Sequence, residues 1–197
     1  MPQRRRVGVL GGTFDPIHIG HLVAASEVRV QLRLDTILLV VAGEPWQKTG
    51  IRRITPAADR LALVEVAVDG FDGLEASSLE IERGGPTYTA DTLAALEGDD
   101  LFLVVGADVA SLLDTWARPE DVRARATLVV VDRPGSTFDP SALTLDGWRV
   151  ERVDIPRLEV SSSDLRARVA DGRPIDFLVP DPVVREIEKR GLYARSR

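Results

Sequence analysis

The chain has no cysteine among its 197 residues and only two histidines. Disulfides and thiol nucleophiles are excluded, and so is any cysteine-based zinc site. No apolar run approaches the roughly 20 residues of a membrane span. Positive net charge is also lacking. The formal value is -6, which argues against general binding to nucleic-acid phosphates. Met1 to Arg6 is basic, but it leads into a four-residue apolar segment rather than a signal-type core. A cytoplasmic location is therefore the default expectation. Repeats, linkers and low-complexity tracts are absent as well, so residues 1–197 are expected to form one domain.

What remains has an ordinary globular composition, 44% hydrophobic and 28% charged. Apolar runs alternate with helical patterns. Val7–Leu10, Thr36–Val41, Leu101–Val105 and Leu128–Val131 read as buried parallel strands. Leu74–Ser77 and Arg149–Val153 read as two further strands. Helices are expected over Leu22–Leu34, over Pro56–Val68 with Thr55 as N-cap, and over Thr89–Leu96. Two late helices are expected over Ser161–Ala170 and Pro182–Arg190, the second stopped by Gly191. This alternation predicts an α/β fold, a doubly wound parallel sheet with a helical C-terminal segment. Ligands then bind beyond the C-terminal strand ends.

Both histidines fall in one stretch, Gly11-Gly12-Thr13-Phe14-Asp15-Pro16-Ile17-His18-Ile19-Gly20-His21, between the first strand and the first helix. Glycines let a backbone approach a ligand closely. A helix N-terminus offers free N–H groups and attracts anions. His18 and His21 are three residues apart and share one face of a helical turn. An imidazole has a reference pKa near 6.5, so an adjacent polyphosphate can hold it protonated around neutral pH. Such donors suit a charged transition state on phosphorus. Taken alone, the stretch is also compatible with a tight turn and two helix-capping histidines. The His-x-x-His spacing would suit a metal pair, but a carboxylate would have to complete it.

A second segment, Val160-Ser161-Ser162-Ser163-Asp164-Leu165-Arg166, sets three serines before a helical pattern. One can cap the helix and the others offer hydroxyls. Arg166 lies one turn inside, placed to fork onto phosphate oxygens. An ordinary serine-capped helix with a solvated arginine would read the same way.

The first stretch resembles the G-x-F-x-P-x-H-x-G-H signature of the nucleotidylyltransferase superfamily, matched at Gly12, Phe14, Pro16, His18, Gly20 and His21. The second resembles its I-S-S-T-x-x-R motif, with Val160 for Ile and Ser163 for Thr. The resemblance implies a Rossmann-like nucleotidylyltransferase fold. It also implies that His18 and His21 bind nucleoside triphosphate phosphates, with Ser162, Ser163 and Arg166 holding the triphosphate opposite them. The middle of the chain is similar to bacterial nicotinate-nucleotide adenylyltransferases. Gly85–Leu93 resembles their S-Y-T-x-x-T-L segment, and Pro45-Trp46-Gln47-Lys48 their P-x-x-K loop. Gly106-Ala107-Asp108, Thr115-Trp116, Arg133-Pro134-Gly135, Leu178–Asp181 and Gly191-Leu192-Tyr193 match further elements in order.

The likeness implies adenylyl transfer from ATP to nicotinate mononucleotide, giving deamido-NAD and pyrophosphate. His18, His21 and Arg166 would be catalytic. Gly11, Gly12, Thr13, Phe14, Asp108, Ser162 and Ser163 would join them in binding ATP. Lys48, Thr89, Trp116 and Arg133 would bind the mononucleotide. Mg²⁺ would arrive with ATP, held mostly by water and phosphate rather than by dedicated protein ligands. By residue type alone, Trp116 can stack on a pyridine ring or simply fill a core, and Thr89 can bind a carboxylate or cap a helix. Three rivals stay open. The acceptor could be nicotinamide mononucleotide or phosphopantetheine, the chain could be a non-catalytic ATP sensor, or it could be a scaffold. Glu44–Arg53 is expected to be a lid. Arg4–Arg6 and Phe138–Trp148 match no motif, and a homo-oligomer is compatible with the sequence.

Overall fold

The computed structural model describes residues 4–44, 54–132 and 147–195. Within them lie six strands: β1 (Arg6–Gly12), β2 (Thr36–Val41), β3 (Leu74–Ser77), β4 (Asp100–Gly106), β5 (Ala126–Asp132) and β6 (Val150–Asp154). They form one sheet in the order β3-β2-β1-β4-β5-β6, and every pairing is parallel. The helices are α1 (Ile19–Gln31), α2 (Ala57–Val68), α3 (Leu79–Arg83), α4 (Thr89–Ala94), α5 (Ala107–Ala110), α6 (Pro119–Arg125), α7 (Ser162–Ala170) and α8 (Asp181–Arg190). A 3₁₀ turn spans Leu113–Thr115.

Both faces of the sheet are buried, which is why its strands read as continuous apolar runs. In β4, Phe102 and Val104 point to the layer containing Val28 of α1, Leu63 of α2, Leu165 of α7 and Ile187 of α8. Leu101, Leu103 and Val105 point to the opposite layer, with Leu93 of α4, Ala110 of α5 and Val122 of α6. A fully buried side chain of this size contributes about 1.5–3 kcal/mol. The topology places the site. From β1 the chain runs outward through β2 to β3, then returns through α3 and α4 to β4 on the other side of β1. The β1/β4 gap is therefore the switch point, and ligands of such sheets bind beyond the C-terminal strand ends there.

The expected strands all form, with β2 and β3 as read and β1, β4 and β5 longer. Helix starts differ. Helix α1 begins at Ile19 rather than Leu22, with His18 as N-cap. Pro56, not Thr55, caps α2. The short helices α3, α5 and α6 were not anticipated, since four to seven residues carry too little periodicity to detect. The basic head is tied down: Arg5 pairs with Glu75 at 3.6 Å and Arg6 with Asp100 at 3.8 Å. The Arg6 guanidinium also lies 4.7 Å from the Phe102 ring centre. Among the described residues, no helix is long and apolar enough to cross a membrane.

Candidate active site

Strand β1 ends on Gly11-Gly12, where the chain folds back sharply. A Cβ on Gly12 would lie 2.7 Å from the Phe14 ring, so only glycine lets Phe14 tuck beneath the strand end. Phe14 has a positive φ of 47° and is buried; the Asp15–Pro16 peptide is cis. The Phe14 ring stands edge-on to His21, at 5.0 Å between centroids and 82° between planes.

His18 caps α1 in an extended conformation and His21 occupies the third helical position. The His18 N–H donates to His21 Nδ1 at 3.3 Å. A ring nitrogen that accepts carries no proton, so neutral His21 bears its proton on Nε2. The two imidazoles stack at 3.8 Å between centroids and 26° between planes. Gly20 makes room for this. A Cβ there would stand 3.0 Å from His18 Nδ1 and 3.1 Å from Val160 Cγ1. With Nδ1 engaged in this way, His21 presents Nε2 as its donor.

The loop carrying these histidines is held from several sides. Ser162 Oγ donates to the Pro16 carbonyl at 2.8 Å, and Arg166 Nη1 to the Asp15 carbonyl at 2.7 Å. Arg166 Nη2 donates to Ser163 Oγ at 3.1 Å. Ser161 caps α7, accepting from the Asp164 N–H at 3.2 Å. Tyr193 donates to Asp15 Oδ1 at 2.9 Å; burial and the Asp15 charge push its phenol above the ordinary tyrosine range. Arg60, 1% exposed, donates Nη1 to the Thr13 carbonyl at 2.8 Å and Nη2 to the Ala42 and Gly43 carbonyls at 2.7 and 3.2 Å. Its Nε reaches the Thr55 carbonyl at 2.8 Å.

A cavity of about 460 Å³ opens beyond the ends of β1 and β4. Gly11, Gly12, Thr13 and His21 line it, together with Thr89 and Trp116 from segments far along the chain. Gly106 contributes from the end of β4, and Glu80, Thr87, Tyr88 and Thr92 complete the wall beside Thr89. The expected residues Gly11, Gly12, Thr13, His21, Thr89 and Trp116 are thus gathered in one place.

Others stand elsewhere. His18, 5% exposed, stacks against His21 instead of lining the cavity. Phe14 is buried. Ser162 and Arg166 meet the loop at Asp15–Pro16, Ser163 bonds Arg166, and none of the three lines the cavity. Asp108 sits in the first turn of α5 and is exposed, its Oδ1 2.6 Å from where a Gly106 Cβ would be. Lys48 and Arg133 lie outside the described residues, as does all of the expected lid except Glu44, which bridges to Pro86.

Sequence reasoning missed Arg60 and Glu80. Arg60 is one charge in an expected helix, a pattern indistinguishable from a solvated face, and Glu80 falls in a stretch where no helix was expected. Tyr193, Tyr88 and Thr92 lay within matched segments, so a signal existed without a role. Burial pushes the Glu80 carboxyl up from the ordinary glutamate value of 4.5, opposed chiefly by the Thr92 hydroxyl. Among the described residues, no group of three or more His, Cys, Asp or Glu could hold a metal ion.

The cytidylyltransferase-like family matches residues 9–168. A relative from Streptomyces coelicolor is 48% identical over 93% of this chain and 98% of its own length. One from Acidothermus cellulolyticus is 45% identical over 98% of this chain and 97% of its own. Both bear the name "Probable nicotinate-nucleotide adenylyltransferase". Plasmodium falciparum nicotinic acid mononucleotide adenylyltransferase, solved with APC and with NaAD, superposes with a TM-score of 0.77 at 18% identity, covering 96% of this chain and 97% of that one. At that identity the likeness speaks for the fold.

Proposed function

Because the chain belongs to the cytidylyltransferase-like family, alongside the nicotinate-nucleotide adenylyltransferases, we propose that it transfers the adenylyl group of ATP to nicotinate mononucleotide, releasing deamido-NAD and pyrophosphate. One observation carries this reading. A single cavity at the switch point joins the glycine-histidine loop to Thr89 and Trp116. Phosphate chemistry and an aromatic, hydroxyl-bearing wall thus share one space.

No covalent intermediate is required. The mononucleotide phosphate oxygen attacks the α-phosphorus in line, and the bond to the bridging oxygen of pyrophosphate breaks. Catalysis is positioning plus charge neutralisation. The His21 Nε2–H donates to an α- or β-phosphate oxygen as charge moves to the leaving group, and His18 holds that ring from behind. Backbone groups of Gly11, Gly12 and Thr13 border the reacting phosphate. Arg166, with Ser162 and Ser163, braces the loop at Asp15–Pro16 and holds the β- and γ-phosphates where α7 begins. Mg²⁺ enters as part of the Mg–ATP substrate. Trp116 stacks on the pyridine ring, which is worth about 0.5–1.5 kcal/mol beyond area burial. Thr89 and neighbouring backbone N–H groups face the pyridine carboxylate.

The test is pyrophosphate release from Mg–ATP with nicotinate mononucleotide, nicotinamide mononucleotide or phosphopantetheine supplied separately. Fast release with the acid alone is the expected result. Preference for phosphopantetheine would overturn the acceptor. ATP binding without release with any of the three would favour a sensor.

A further inference from the structure

Glu80 is an acid that phosphate transfer does not use. It is 5% exposed, and its side chain lines the cavity among hydroxyls and apolar groups. A buried carboxyl is costly without a partner, so its hydrogen bonds must compensate. Thr92 Oγ1 donates to Glu80 Oε1 at 2.6 Å, and the Thr87 hydroxyl acts on the carboxyl more weakly. Thr92 is 2% exposed, and its Oγ1 also lies 3.3 Å from the Tyr88 carbonyl. Tyr88 and Thr89 form the cavity wall at the start of α4.

The other end of this linkage is fixed too. A Cβ on Gly43 would sit 2.8 Å from the Glu80 carbonyl oxygen, so the chain leaving β2 presses directly on α3. Helices of five and six residues, α3 and α4, have no stability of their own. Their relative placement depends on tertiary bonds. The Glu80–Thr92 bond is the buried side-chain link between them, and it runs from the rigid end of β2 to the wall that carries Thr89.

We propose that Glu80 is a positioning residue for the mononucleotide: acting through Thr92, its carboxyl sets the Tyr88–Thr89 wall at the spacing the pyridine ring requires. This rests on the function proposed above. The groups around it are consistent with that task. The Arg83 charge on its own helix and the Thr87 hydroxyl also act on the carboxyl, each less than Thr92 does, and Tyr88 and His21 are titratable groups lining the same cavity.

The test compares Glu80→Ala, Glu80→Gln and Thr92→Val in steady-state kinetics, with calorimetric titration of nicotinate mononucleotide alone. Loss of the buried bond is expected to raise the KM for the mononucleotide about tenfold or more in Glu80→Ala and Thr92→Val, with the KM for ATP within about twofold of wild type. Glu80→Gln keeps an oxygen that accepts from Thr92, and its mononucleotide KM is expected to return to within about threefold. An unchanged mononucleotide KM in both Glu80→Ala and Thr92→Val overturns the proposal. So does an equal rise in both KM values, which marks a general structural loss, and so does a Glu80→Gln as impaired as Glu80→Ala. If Glu80→Ala does not fold, Thr92→Val carries the same test at nearly constant shape. A wild-type protein inert toward nicotinate mononucleotide would sink the proposed function; an active one with unmoved variants would sink only this inference.

Discussion

At the residue scale the central fact is the tautomer of His21. Its Nδ1 is occupied by the His18 N–H, so the ring is a fixed Nε2–H donor. Removing a preorganised donor of this kind from a phosphoryl site is expected to lower kcat by at least about 100-fold in His21→Ala. Turnover should be read beside a circular dichroism melt, and near wild-type kcat in a folded variant would remove His21 from the mechanism. Gly20 makes a quieter contribution. Gly20→Ala brings a methyl to 3.0 Å from His18 Nδ1, which must tilt the stacked pair, and kcat should fall while the melt shifts little. Glu80 gives a prediction with a definite sign. Its folded-state pKa lies above the ordinary value of 4.5, so in that window the folded protein keeps a proton that the unfolded chain has released. Stability from this group is present below that value and is lost as pH rises towards the folded-state value. Urea midpoints across the acidic to neutral range should show this loss in wild type and not in Glu80→Gln. Parallel profiles would refute it.

At the scale of elements, the legible parts were those with long signals. Six strands of four to seven residues were visible because two covered faces leave them apolar throughout, and five helices of six to thirteen residues followed from periodicity and end signals. The glycine-histidine loop was legible because its residue types are dictated by geometry: Gly12 by the Phe14 ring, Gly20 by the His18 ring. What escaped was set by tertiary contact. Helices α3 and α6 form against the sheet rather than by their own propensity, and an αL turn at Arg118 (φ 55°) starts α6. The second motif is the instructive case. The residues of that motif point to phosphate, and the structure adds a contact the sequence did not signal: Ser162 and Arg166 bond to carbonyls of the first motif. Arg60 was illegible because nothing in α2 distinguishes a buried guanidinium from a solvated one. Arg60→Met would leave carbonyls at Thr13, Ala42, Gly43 and Thr55 without this partner, and a loss of about 3 kcal/mol or more is expected by urea denaturation. Arg60→Lys should recover only part, because an ammonium cannot fork across separate acceptors in one plane. Full recovery would show that charge alone suffices.

For the whole molecule, the absence of cysteine becomes an experimental handle. Activity should be indifferent to thiol-specific maleimides and to thiol-oxidising reagents, measured as residual pyrophosphate release, and inactivation would overturn this. The strand order explains why distant segments can share one site. The sheet reverses direction of build between β1 and β4, and segments from residues 11–21, 80–92 and 106–117 meet above that gap. The Arg60 contacts have a consequence of another kind. Gly43 and Thr55 flank residues 45–53, and one guanidinium grips both while also gripping Thr13. The backbone at Gly43 and the backbone at Thr55 are thus tied to one another through α2. A load applied at Gly43 or Thr55 is therefore carried through α2 to Thr13, so three backbone stations far apart in sequence keep step through a single side chain.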